Sequence, residues 1–145
     1  MIATDATRAL GVDLGERRIG LALSDPSRTV ASPHEVLRRS GDPAVDRGVI
    51  VSRAREAGAN VIVVGLPLSL SGRTGPAARA ALAEVEMLRA AAGDIEVVAH
   101  DERLTTVTAE RALGEARLRR AARRRVVDKV AAAVMLQSWL DRAVP

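Results

Sequence analysis

Val61-Ile62-Val63-Val64 puts four aliphatic residues in a row with no polar break. Side chains alternate between the two faces of a strand, so a strand of this sequence needs apolar cover on both sides. A parallel strand sandwiched between helices has that cover. The flanking residues agree with such a layer. Asp42-Pro43 opens a helix running to about Ala57, with Pro in its first turn and Gly58 as its stop. Pro76–Ala92 is rich in Ala, Leu and Glu and predicts a second helix, closed by Gly93. Ile95–Ala99 is a further strand.

Upstream the pattern is different. Residues 1–8 read as an N-terminal extension. Ala9–Leu14 predicts a strand, Gly15-Glu16-Arg17-Arg18 a turn, and Ile19–Ser24 a second strand in which Ile19, Leu21 and Leu23 alternate with small residues. Asp25-Pro26-Ser27 supplies turn chemistry. Val30–Leu37 is a third strand, and Pro33 suits it to a sheet edge. Short loops join these three segments, which predicts an antiparallel meander. Thr105 or Thr106 can cap a helix reaching about Leu113, and Val126–Leu140 predicts a final helix with Trp139 docking its end. The fold class is therefore α/β: a five-stranded mixed sheet, antiparallel then parallel, flanked by helices. No repeat or linker divides it, so residues 9–142 are expected to form one domain.

Composition removes several functions. The chain has no Cys, which excludes thiolate catalysis and Cys-based zinc sites. Trp139 is its one aromatic residue, so bases cannot stack on a row of aromatic rings. No apolar run reaches the ~18 residues of a membrane span. Met1–Arg8 lacks the apolar segment of a signal peptide, and a cytoplasmic location is expected. Lys+Arg number 22 against 18 Asp+Glu, a net charge of +4, and Lys129 is the one lysine. Arginine suits phosphate because its planar fork binds two oxygens at once; codon bias in a GC-rich genome is the competing explanation of the composition. The distribution is more telling. Arg117, Arg119, Arg120, Arg123, Arg124 and Arg125 crowd one stretch that only Glu115 offsets locally. Such a run can neutralise a polyanion's phosphates or be a solvated helix face.

One carboxylate, Asp13, interrupts the first apolar strand, and a buried acid is costly unless something pairs with it. Ligands in α/β sheets bind beyond the carboxyl ends of the parallel strands. Asp13 lies near that end of the first strand, Asp101 and Glu102 at the end of the fifth, and Asp128 in the first turn of the final helix. Acids converging from three segments can share Mg²⁺ or Mn²⁺ through hard oxygen ligands. Each also has a structural alternative. Asp13 could cap its turn, one of Asp101 and Glu102 could pair with Arg103 or cap a helix, and Asp128 could complement the helix dipole.

Gly11-Val12-Asp13-Leu14-Gly15 with Arg18-Ile19-Gly20, Val64-Gly65-Leu66-Pro67 with Gly72, Asp101-Glu102-Arg103-Leu104-Thr105-Thr106, and Val127-Asp128 followed by Ala131-Ala132 and Leu136-Gln137 together resemble the YqgF/RuvX family from about Ala9 to Leu140. The resemblance implies an RNase H-like fold similar to that of the resolvase RuvC, and a nuclease dependent on Mg²⁺ or Mn²⁺. It implies processing of the 5′ end of pre-16S rRNA, with resolution of Holliday junctions as the alternative. Asp13 and Asp128 match the family's acids, and Glu102 or Asp101 supplies the middle one, with Glu102 favoured. A water would attack the scissile phosphate in line, leaving a 5′-phosphate and a 3′-hydroxyl. Arg18, Arg103 and Arg73 of the Gly65–Gly75 loop are candidates for phosphate contact. The implied partners are structured RNA or branched DNA and ribosomal precursor particles, with no membrane, and the protein acting as a monomer or homodimer. Two other readings stand beside this one. The first hairpin also resembles that of actin/Hsp70-like ATPases, although those need a second domain and a second glycine-rich hairpin. A non-catalytic adaptor could bind nucleic acid through the arginines alone.

Overall fold

The computed structural model describes residues 7–67, 75–101 and 120–142, and the side chains of all of these but 120–129. In chain order the elements are β1 (Arg8–Leu14), β2 (Arg18–Ser24), β3 (Ala31–Arg38), α1 (Pro43–Glu56), β4 (Ala59–Leu66), α2 (Pro76–Ala92), β5 (Glu96–Asp101) and α3 (Arg120–Arg142). The strands form one five-stranded sheet in the order β3-β2-β1-β4-β5. The β1–β2 and β2–β3 pairs are antiparallel, and β1–β4 and β4–β5 are parallel. The expected meander followed by parallel strands is therefore the observed architecture.

Val61, Ile62, Val63 and Val64 are all at most 1% exposed, and the sheet shows why. On one face Leu10, Val12, Ile62, Val64 and Val97 pack with Ile50 and Ala54 of α1 and with Val85 and Leu88 of α2. On the other, Ala9, Ala22, Val61 and Val63 pack with Ala132, Met135, Leu136 and Leu140 of α3. Asp42 caps α1 by accepting from the Ala44 amide at 3.0 Å, and Pro43 occupies the first helical position.

Three boundaries differ from the sequence reading. β3 spans Ala31–Arg38, at the sheet edge, and its register with β2 slips between Leu21 and Ala22, opposite the Pro33–Glu35 stretch. β5 continues past Ala99 to Asp101. Within the described residues α3 already includes Arg120, six residues before the expected start at Val126. Arg and Ala are strong helix formers, so the Arg120–Arg125 segment propagates the helix rather than preceding it. The helix expected at residues 105–113 lies outside the described residues. Among the described residues no helix is long and apolar enough to cross a membrane.

Gly11 lets α3 approach the sheet. A Cβ built there would lie 2.9 Å from Leu136 Cβ and 3.3 Å from the Ala132 carbonyl oxygen. Farther along α3, the Gln137 side chain accepts from the Ala31 amide at 2.8 Å and donates to the Thr29 carbonyl at 2.9 Å. The Arg28 guanidinium lies 5.9 Å from the Trp139 ring centre, and its Nε donates to Thr7 O. Residues 137–139 thus lie toward the N-terminal end of β1, and α3 runs antiparallel to that strand.

Candidate functional site

The carboxyl ends of β1, β4 and β5 lie at one edge. Val12 pairs with Val64, and Val64 with Ala99. The next row outward holds Asp13, then Gly65 paired with His100; the row after that pairs Leu66 with Asp101. Asp13 alternates with Val12 and so shares the α3 face with Ala9 and Gly11. It is half-buried, not sealed as an acid in an apolar strand was expected to be. The turn beyond it closes through its own backbone, with the Gly15 amide donating to the Arg18 carbonyl at 2.9 Å.

Position 128 lies one helical turn before Ala132. Because α3 runs antiparallel to β1, its backbone there is at the Asp13 end of the sheet. The Asp128 side chain lies outside the described residues, as do Glu102, Arg73, Arg103, Arg117 and Arg119 and the side chains of Arg120, Arg123, Arg124 and Arg125. Asp101 is half-buried and follows Val97 and Ala99 in alternation, so it belongs to the α1/α2 face, opposite Asp13. Among the described residues no group of three or more acids and histidines could hold a metal ion. Two of the three expected ligands are beyond that description.

Arg18 is half-buried on the strand next to Asp13. It pairs with Arg38 of β3, on the same face. These two, with Arg17 and Arg39, line a cleft of about 600 Å³ at this end of the sheet. Arg17, Arg38 and Arg39 were not among the sequence candidates. The doubled arginines at the β1–β2 turn and the end of β3 are the signal that could have found them.

His100 was also missed, because the fifth strand was expected to stop at Ala99. It is 5% exposed and lies on the α3 face, with Nε2 3.0 Å from Ser138 Oγ. Burial, and then the Arg142 charge, hold its pKa below the usual imidazole range, with Asp101 partly opposing.

A meander feeding two parallel strands, with an acid at the end of the central strand and a helix packed across its face, defines an RNase H-like protein. Solved structures agree at the level of the fold. RuvC of T. thermophilus in complex with a Holliday junction substrate superposes with a TM-score of 0.53 at 17% identity, over 95% of this chain and 96% of that one. A second RuvC structure from Thermus thermophilus gives 0.50 at 16% identity, over 93% and 95%. Within that class the chain belongs to the RuvX family, described as Holliday junction resolvase, whose pattern matches residues 7–142. Curated relatives carry the name "Putative pre-16S rRNA nuclease". One from Mycobacterium sp. (strain KMS) is 44% identical, covering 93% of this chain and 80% of its own length. One from Pelotomaculum thermopropionicum is 45% identical, covering 92% and 86%. One from Roseiflexus sp. (strain RS-1) is 40% identical, covering 97% and 98%.

Proposed function

We propose that the protein is a divalent-metal-dependent endonuclease acting on structured nucleic acid, and specifically that it processes the 5′ end of pre-16S rRNA. One observation carries the reading. Asp13 occupies the carboxyl end of the central strand on the α3 face, and the backbone of α3 brings position 128 to that same end. The relatives' name supports the RNA substrate. The residues fit a hard cation, because the candidate donors are all carboxylate oxygens and Asp13 is half-buried rather than withdrawn into the core. Asp13, Glu102 and Asp128 would hold Mg²⁺ or Mn²⁺. Bound there, the ion supplies activation of a water and relief of charge on the leaving oxygen. Glu102 is preferred to Asp101 because Asp101 belongs to the face opposite Asp13. Arg18, on that face, orients the scissile phosphate.

Cleavage assays with Mn²⁺ on a structured RNA and on a four-way DNA junction test this reading. Asp13→Asn is expected to lower the rate about 100-fold or more, the equivalent of ~2.7 kcal/mol of transition-state stabilisation. Equal residual cleavage by wild type and variant on every substrate would leave a nucleic-acid-binding adaptor in its place. The family description favours a second reading, resolution of branched DNA. Paired, symmetric incision of the junction, with the RNA left intact, would select it.

A further inference from the structure

We propose that the outer face of α2 is a self-association surface, against which a second copy of this chain packs the same face antiparallel. The surface is independent of the nuclease reading.

α2 turns Ala78, Ala81, Val85, Leu88 and Ala92 into the core. Its other side is not the charged surface expected of a helix that meets only water. Ala80, Leu82, Ala83, Met87 and Ala90 are exposed there, with Arg79 and Glu86 among them. Leu82 and Met87 are 40% and 49% exposed, two of the four large apolar side chains so placed among the described residues, so exposed apolar character concentrates on this helix.

The charges run against the helix's own preference. α2 has no acid in its first turn, where one would complement the macrodipole. Arg79 stands there instead, its amide donating to the Gly75 carbonyl at 3.0 Å. Among the described residues Arg79 makes no ion pair, whereas Arg47, Arg53, Arg55 and Arg89 each have a carboxylate partner. Glu86 contacts Arg89 of its own helix, yet its side chain remains 69% exposed and open to a second cation.

An antiparallel copy answers both features at once. At 3.6 residues per turn, residues seven apart fall within about 20° of each other. Arg79 and Glu86 therefore share one side of the outer face, and Ala80 and Met87 the other, with Ala83 between. A two-fold axis crossing at Ala83 puts Arg79 about 6 Å along the helix from the crossing, and the partner's Glu86 about 4.5 Å along in the same direction. Each Arg79 then meets the partner's Glu86, and each Met87 lies over the partner's Ala80. Ala83 brings only a methyl group to the crossing, which lets the axes approach to about 8 Å. Matching of this kind about one residue is what an isologous contact requires, and an unrelated partner would not need it. α3 packs on the other face of the sheet, so the dimer leaves the face that carries Asp13 uncovered. A contact along one 17-residue helix falls at the low end of specific interfaces, below ~1,200 Å², and association should be reversible, with a Kd of roughly 10–100 μM.

The test is sedimentation velocity on the full chain at low salt, from about 1 to 300 μM. Wild type should pass from monomer to dimer within that range. Arg79→Glu and Glu86→Arg should each weaken association about tenfold or more, because each sets like charges across both contacts. An equimolar mixture of the two variants should return to within about threefold of the wild-type affinity, since opposite charges then face each other at both contacts. Ala83→Glu sets two carboxylates together at the axis and should abolish association. All three positions are exposed, so melting temperatures should stay at the wild-type value. A chain that is monomeric throughout overturns the surface. So does a dimer untouched by the three substitutions, or a mixture that associates no better than its components.

Discussion

At Gly11 one missing Cβ sets the distance between α3 and the sheet. Gly11→Ala forces that atom to within 3 Å of Leu136 Cβ, so the helix must shift. We expect a loss of about 1–3 kcal/mol in denaturant unfolding, with cleavage falling further than stability because position 128 moves with the helix. Asp25 is a separate case. Its carboxylate accepts from the Ser27 hydroxyl and from the Thr29 and Val30 amides, and these hold its pKa down at about 2. The folded value lies below the unfolded one, so the stabilisation is complete above pH ~4 and drains as pH falls toward 2. Asp25→Asn should therefore lower the melting temperature at pH 7 and differ little from wild type below pH 2. Melts across that range check the sign.

At the scale of elements, α3 is fastened by Gln137, whose amide satisfies the Ala31 N–H and the Thr29 carbonyl. Gln137→Ala leaves a partly buried amide without its partner and should cost ~1–2 kcal/mol, with faster hydrogen exchange at Ala31. Across the sheet, Arg47 Nη1 donates to both carboxylate oxygens of Glu84, at 3.0 and 3.1 Å, and joins α1 to α2. Glu84→Gln should cost at most ~1 kcal/mol by thermal unfolding, because both groups keep some access to water. The elements were legible in sequence to different degrees, for physical reasons. β1, β2 and β4 were readable because their burial is written in local alternation or in an unbroken apolar run. The end of β5 was not, because His100 is buried by a helix remote in sequence. The start of α3 was obscured by arginines that say charge before they say helix. The acids could be named from sequence, but the phase of Asp101 relative to Asp13 depends on which face α3 covers. The arginine cleft needed the β2–β3 register, which pairs residues at a distance.

The whole molecule gathers its candidate chemistry at one edge of the sheet, with Asp13 at the end of β1 and arginines in the β1–β2 turn and at the end of β3. Binding to nucleic acid should weaken steeply and without regard to sequence as salt rises. A titration of wild type against scrambled probes of equal structure, giving equal slopes, checks this. The central position of β1 has a further consequence, which concerns time. As the chain leaves the ribosome, β1, β2 and β3 can pair at once, because only short turns separate them. The β1–β4 ladder must wait for α1 and β4, and α3 closes the opposite face only when residues beyond 120 emerge. Asp13 therefore belongs to the earliest part of the fold and the segment carrying Asp128 to the last. The metal site proposed for Asp13 and Asp128 is therefore complete only once α3 has docked on the sheet.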